Sequence, residues 1–114
     1  MIMVRIIMSV LPEKKKEVMQ TLLSMIETAG KEKGCLSYEI FCDIDGKTVF
    51  NMIEEWETRE DLERYIQSER FSVLLGTKSL LAKPLGIKIH TVSRSEGVEA
   101  INALRSKGRS GKNV

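Results

Sequence analysis

Four predicted strands with helices in the long connections define an α+β fold: an antiparallel four-stranded sheet with its helices on one face. Three observations predict it. Short runs rich in β-branched or alternating apolar residues lie near the start, middle and end of the chain. Only one pair of neighbouring strands is joined by a two-residue turn signal, Asp45-Gly46. The other two connections are helical and long enough to cross between strands that are not neighbours.

The first strand is Ile2 to Val10. Pro12 suits the first turn of a helix, and Glu13 complements the positive end of its dipole. Val18, Leu22, Ile26 and Ala29 then recur at helical spacing, and Met19, Leu23 and Met25 widen the stripe. Gly30 and Gly34 mark the stop, which predicts a helix from about Glu13 to Lys31. Cys35 to Asp43 reads as the second strand and Thr48 to Trp56 as the returning one. Thr58 is placed to cap the next helix, with Asp61 in the capping-box position and Leu62, Tyr65 and Ile66 on the apolar face. Ser68 caps a further stretch carrying Phe71, Leu74, Leu75 and Leu81, weakened by Gly76 and ended by Pro84. Leu85, Ile87 and Ile89 alternate with Gly86, Lys88 and His90, the pattern of a half-buried last strand. The order β-α-β-β-α-β is the split βαβ, ferredoxin-like arrangement. It fills residues 1–94, one domain. Residues 95–114, with three glycines among Ser, Lys and Arg, read as a basic flexible tail; Val98 to Leu104 has the pattern of one or two helical turns.

Neither side of the sheet is cleanly polar. Ile2, Val4, Ile6 and Met8 share one side of the first strand, and Met3, Arg5 and Ile7 the other. In the second, Leu36, Tyr38 and Ile40 oppose Cys35, Ser37, Glu39 and Phe41; in the third, Val49, Asn51 and Ile53 oppose Phe50, Met52 and Trp56. A sheet wet on one side alternates more strictly. Ile7 and Phe41 would be left in water, and an apolar patch of that kind marks an interface. The expectation is a homodimer, sheet against sheet.

Of the formal net charge of +2, residues 94–114 carry +3, which leaves −1 for the body. A nucleic-acid-binding domain needs a basic face built into the fold, and this body has none. Cys35 and Cys42 would stand roughly 23 Å apart on one extended strand, beyond the ~7 Å that a disulfide spans. Free thiols and the lack of a secretory signal fit a cytoplasmic protein. The apolar start, MIMVRIIMSVL, is broken by Arg5 and too short to cross a bilayer.

The sequence shows no phosphate-binding glycine loop, no nucleophile motif and no ligand-spaced metal cluster. The single histidine, His90, reads as a residue of the sheet edge or the dimer interface. What remains is aromatic: Trp56, Tyr65, Phe71 and Phe50 gather around the third strand and the helices after it. Plain core accounts for Trp56 and Phe71 as well as a pocket does. Small hydrophobic ligands favour such junctions of sheet and helix. Tyr65 and Tyr38 can supply hydroxyl groups.

Four segments carry a resemblance: Gly34-Cys-Leu-Ser-Tyr-Glu-Ile40, Phe50-Asn-Met-Ile-Glu-Glu-Trp56, Arg59-Glu-Asp-Leu62 and Ser68-Glu-Arg-Phe71. Together they make residues 2–93 similar to the antibiotic biosynthesis monooxygenase (ABM) domain family. The resemblance implies a dimeric ferredoxin-like protein, the dimeric α/β barrel. It also implies a monooxygenase of a small quinol or polyphenol that works without metal or flavin, with no cofactor at all. The pocket residues this suggests are Trp56, Tyr65, Arg70, Phe71, Arg5 and Glu54. Arg70 stands where members often carry His, and Asn51 is an odd number of residues from Trp56, so it faces the other side. The haem-degrading branch needs a His in the second helical region, and Thr58 to Leu81 holds none. A non-catalytic dimeric module that binds a small ligand or serves a stress response is the alternative the same features allow.

Overall fold

The structure, a computed structural model, describes residues 1–45 and 48–112, with side chains to 108. Four strands, β1 (Ile2–Ser9), β2 (Cys35–Cys42), β3 (Val49–Trp56) and β4 (Gly86–Thr91), form one antiparallel sheet in the order β2-β3-β1-β4. Helices α1 (Lys15–Ala29), α2 (Arg59–Ile66) and α3 (Glu69–Leu75) supply the layer over it, and α4 (Val98–Lys112) follows β4. The α+β, ferredoxin-like expectation is met. The Asp45-Gly46 turn falls partly outside the described residues.

The register fixes which side chains share a face. Ile2, Val4, Ile6 and Met8 of β1 lie opposite Trp56, Glu54, Met52 and Phe50 of β3. All eight are buried beneath the helices. Val18, Leu22 and Met25 of α1, Leu62 and Tyr65 of α2, and Phe71 and Leu74 of α3 close over them. Each large aliphatic side chain so buried stabilises the fold by about 1.5–3 kcal/mol. The other face is uncovered. Its rows run across all four strands: Glu39, Ile53, Arg5, Lys88 in one, and Ser37, Glu55, Met3, His90 in the next.

Several elements depart from the sequence reading. The first helix starts later and ends sooner than Glu13 and Lys31. Pro12–Lys14 is a 3-10 turn with no side-chain cap, and Gly30 terminates α1. Met25, not Ile26, faces the core; Ile26 is 37% exposed. A bulge between Cys35 and Ser37 puts Cys35 opposite Trp56. Cys35 therefore joins the face of Tyr38 and Ile40, and Leu36 turns outward. Neither cysteine is in a disulfide. The region after Ser68 is α3 followed by a 3-10 segment, Gly76–Leu80. Leu75 is exposed, and Leu81 instead bridges Val10. Strand β4 is not half-buried: every residue from Gly86 to Thr91 is exposed, because the helices do not reach over this edge. The C-terminal helix is longer than two turns. It stands off the body: the radius of gyration is 18.1 Å, against about 13 Å for a compact chain of this length. Its Val98, Ile101 and Leu104 are exposed. Among the described residues no helix is long and apolar enough to cross a membrane.

Candidate active site

Two glutamates in succession on β3 meet opposite fates. Glu55 points to the open face and accepts a hydrogen bond from Ser37 Oγ at 2.6 Å. Glu54, one residue earlier, points under the helices and is 1% exposed. Its Oε1 accepts the Trp56 indole N–H at 3.0 Å. Its Oε2 is buried with no hydrogen-bond partner. Such a group is costly unless neutral or paired. Burial pushes the carboxyl up to about 7, and the Trp56 hydrogen bond only partly opposes this.

The roof over Glu54 is set by two helix caps. The Thr58 hydroxyl accepts the Asp61 backbone N–H at 3.1 Å and starts α2, which carries Tyr65 onto Trp56. Those rings stack with centroids 4.8 Å apart. The Ser68 hydroxyl accepts the Phe71 N–H and donates to the Tyr65 carbonyl, starting α3. Phe71 then meets the edge of Tyr65 at 5.7 Å. Both geometries are favoured ones for aromatic pairs.

Strand β2 completes the cluster with Tyr38, opposite Glu54, and Cys35, opposite Trp56. The Tyr38 hydroxyl is a second buried group with no hydrogen-bond partner. It faces the Tyr65 hydroxyl as a donor, at a geometry short of a full hydrogen bond; the contact holds the Tyr38 proton on and eases ionisation of Tyr65. Burial, then Tyr65 and Glu54, push Tyr38 far above the usual phenol range. Burial takes Tyr65 up to about 12. The Cys35 thiol is raised by burial and by the Glu54 and Glu32 charges, so it stays protonated at neutral pH.

Of the residues expected to share a pocket, the structure brings together Glu54, Trp56, Tyr65 and Phe71. Arg5 lies on the uncovered face, exposed, on the other side of the sheet from Trp56. Arg70 sits beside Phe71, but its guanidinium is spent on Glu32 Oε1 at 2.7 Å and the Thr28 carbonyl at 3.2 Å, clasping α3 to the end of α1. Phe50 is not part of the aromatic cluster. It lies at the far end of β3, in an open apolar groove of about 220 Å³ between α1 and β2, with Met19, Leu23, Ile26 and Phe41. The surplus width of the α1 apolar stripe was the sequence signal for that groove. Asn51 is on the open face as parity demands, donating to Asp43 Oδ1 at 2.8 Å. Tyr38 and Cys35 are the site residues that sequence reasoning underweighted. Among the described residues, no group of three or more His, Cys, Asp or Glu side chains could hold a metal ion.

A four-stranded antiparallel sheet, two helical crossovers, and a buried carboxyl–indole–phenol cluster at one end of β3 define a ferredoxin-like α+β protein with an aromatic site between sheet and helices. Its relatives are specific. The family model for antibiotic biosynthesis monooxygenase matches residues 1–74, and the chain belongs to that family. The protein sll1783 of Synechocystis sp. is 31% identical over 86 residues, 75% of this chain and 58% of that protein, so this chain spans little more than half of that relative's length. YcnE of Bacillus subtilis is 25% identical over 88 residues, 76% of this chain and 93% of YcnE. The crystal structure of a conserved protein from Methanosarcina mazei Go1 superposes with a TM-score of 0.74 at 31% identity, over 78% of this chain and 89% of that one.

Proposed function

We propose that this protein is a homodimeric, cofactor-independent monooxygenase of a small quinol or polyphenol. One observation carries the reading: an ionisable carboxyl, Glu54, is held dry against Trp56 and beneath the Trp56–Tyr65–Phe71 stack. An electron-rich ring that has lost a hydroxyl proton can pass an electron to O₂ directly. The protein's part is to bind the ring, favour its deprotonation and keep water from the intermediate. For a hydroquinone the balance is one O₂ consumed, one oxygen atom added to give a hydroxyquinone, and one water released. Oxygen uptake across a panel of hydroquinones tests this. The expected result is turnover above the buffer blank that is lost in Trp56→Phe; turnover equal to the blank for every member of the panel sinks it.

The open face of the sheet supports the dimer. It exposes Phe41 and leaves Met3, Ile7, Val49 and Ile53 half-buried. Across its rows the charge runs from acidic on β2 and β3 (Glu39, Glu55) to basic on β1 and β4 (Arg5, Lys88). A two-fold axis along the strands lays the acidic half of one copy over the basic half of the other.

The groove between α1 and β2 favours a second reading, a binding module that takes an apolar ligand there without oxidising it. Ligand binding weakened by Leu23→Lys, with no oxygen uptake, is its signature.

A further inference from the structure

We infer that Glu54 and Tyr38 form a proton-accepting subsite for the ring hydroxyl of a phenolic substrate: Glu54 Oε2 takes the hydroxyl proton, and the Tyr38 hydroxyl donates a hydrogen bond to the phenolate left behind. This rests on the oxidation reading of the same cluster and gives that reading its base. Two buried polar atoms, one on each of two paired strands, make no well-formed hydrogen bond in the described structure: Glu54 Oε2, and Tyr38 Oη, whose proton is turned toward the Tyr65 hydroxyl. Their residues are direct cross-strand neighbours on the same face. Buried polar atoms in folded proteins are nearly always satisfied, and the exceptions cluster where a ligand or a reacting group belongs. The pair is chemically complementary to one ligand class. A carboxylate oxygen only accepts and a tyrosine hydroxyl can donate, so together they match a hydroxyl that arrives with a proton and ends as an oxyanion.

The surroundings suit proton transfer at neutral pH. Glu54 titrates near 7, close to the operating pH at which a general base is most effective. The titratable groups around it are Tyr38 and Cys35 from β2 and Tyr65 from α2, all raised and therefore neutral there. Glu32, beyond the end of α1, acts on Tyr65 and Cys35. The β1 neighbour, Val4, and Phe71 of α3 carry no charge. Among the described residues none pairs with Oε2, so the carboxylate is free to take a proton. Tyr38 and Cys35, on the outermost strand β2, are only half-buried, and the route proposed for a ring runs over this edge.

In the step itself the substrate O–H bond breaks and an O–H bond forms on Glu54 Oε2. The bonding pair stays on the substrate oxygen. The phenolate then supplies electrons to O₂, and the proton held by Glu54 leaves in the water released.

The probe is 4-nitrophenol, whose ionised form is yellow and which the chemistry above does not consume. Binding is followed by difference absorbance from about pH 5 to pH 9, in the full-length protein and in Glu54→Gln and Tyr38→Phe, each checked for native circular dichroism. The complex holds one proton between two acids. Wild-type affinity therefore peaks near pH 7 and falls at least tenfold by about pH 9, where both partners are anions. Glu54→Gln loses the alkaline fall, because its amide stays neutral. Tyr38→Phe keeps the peak at several-fold lower affinity. A wild-type profile matched by Glu54→Gln, or no binding of 4-nitrophenol by the wild type, overturns the subsite. Quinol turnover that persists in either case leaves the oxidation reading standing. The peaked profile without any quinol turnover leaves the subsite standing and removes that reading.

Discussion

The indole N–H of Trp56 donates to Oε1 of Glu54, two residues back on the same face of β3, at 3.0 Å. Residues i and i+2 share a face of a strand, so the Glu-x-Trp spacing by itself makes this contact reachable. The helices then seal it, leaving Trp56 0% and Glu54 1% exposed. The hydrogen bond satisfies the indole, the one polar atom of the Trp56 side chain, and one of the two carboxyl oxygens. The second oxygen is what gives the site its pH dependence.

That dependence appears first in stability. The folded-state value for Glu54, about 7, lies above the ordinary 4.5 of a glutamate. The native state thus holds a proton that the unfolded chain has released. The Glu54 contribution to stability is fully present below about pH 4.5, falls as pH rises through the window to about 7, and is lost above it. The shift corresponds to roughly 3 kcal/mol lost across that window. Glu54→Gln removes the group, so its urea-unfolding free energy stays nearly flat between pH 5 and pH 8 while that of the wild type declines. Parallel curves for the two proteins would mean that Glu54 is not held in this environment.

The two tyrosines make a spectroscopic prediction. Both stand in the same cluster, and burial raises both, Tyr65 to about 12 and Tyr38 further. They are the only tyrosines in the chain. At about pH 10, where a free tyrosine is half ionised, the native protein shows almost no tyrosinate absorbance. The signal appears together with loss of ellipticity. A reversible native titration near 10 would place at least one phenol in water.

Gly34 is required for a reason that its sequence context only hinted at. Its φ is +82°, a conformation that L side chains rarely adopt, and a Cβ there would run into the Asp61 carboxyl. Its carbonyl accepts the Glu57 N–H at 2.8 Å, so the start of β2 is pinned against the start of α2. Gly34→Ala costs about 1–3 kcal/mol for backbone strain, with a steric penalty added. Chemical denaturation should show at least this loss. A change of a few tenths would mean that the loop simply rearranges.

Much of this was legible in the sequence because strands and helices impose simple periods. Parity along β1 separated Ile2, Val4, Ile6 and Met8 from Met3, Arg5 and Ile7, and the register keeps that division. Parity alone does not say which side Trp56 shares, and the β1–β3 register sets Arg5, expected in the pocket, on the other face. Thr58 and Ser68 were readable as caps, and each hydroxyl accepts the expected backbone N–H. Cys35 was not readable, because a bulge breaks the period of two and no residue announces it. Nor was the exposure of β4, which depends on how far the helix layer extends rather than on the strand's own alternation. The unpartnered oxygens of Glu54 and Tyr38 belong to three elements packing together and have no signature along the chain.

The open face yields the last prediction. Its rows place Glu39 at the β2 edge and Lys88 at the β4 edge, with Ile53 and Arg5 between them. If two copies stack about an axis along the strands, Glu39 of one faces the basic β4–β1 side of the other, and the apolar residues Met3, Ile7 and Ile53 meet at the centre. Reversing one charge in the basic half then sets like charges against each other across a largely desolvated surface, which costs several kcal/mol. Arg5→Glu, exposed and far from the Trp56 cluster in the single chain, should leave the monomer folded and weaken self-association at least tenfold. Sedimentation equilibrium at micromolar concentration checks both halves. The wild type should run at twice the 12.9 kDa chain mass, and Arg5→Glu should run as a monomer with unchanged circular dichroism. The double reversal Arg5→Glu with Glu39→Arg restores opposite charges across the axis and should recover part of the dimer. A wild type that sediments as a monomer would reject the interface, and an Arg5→Glu dimer as tight as the wild type would reject this axis.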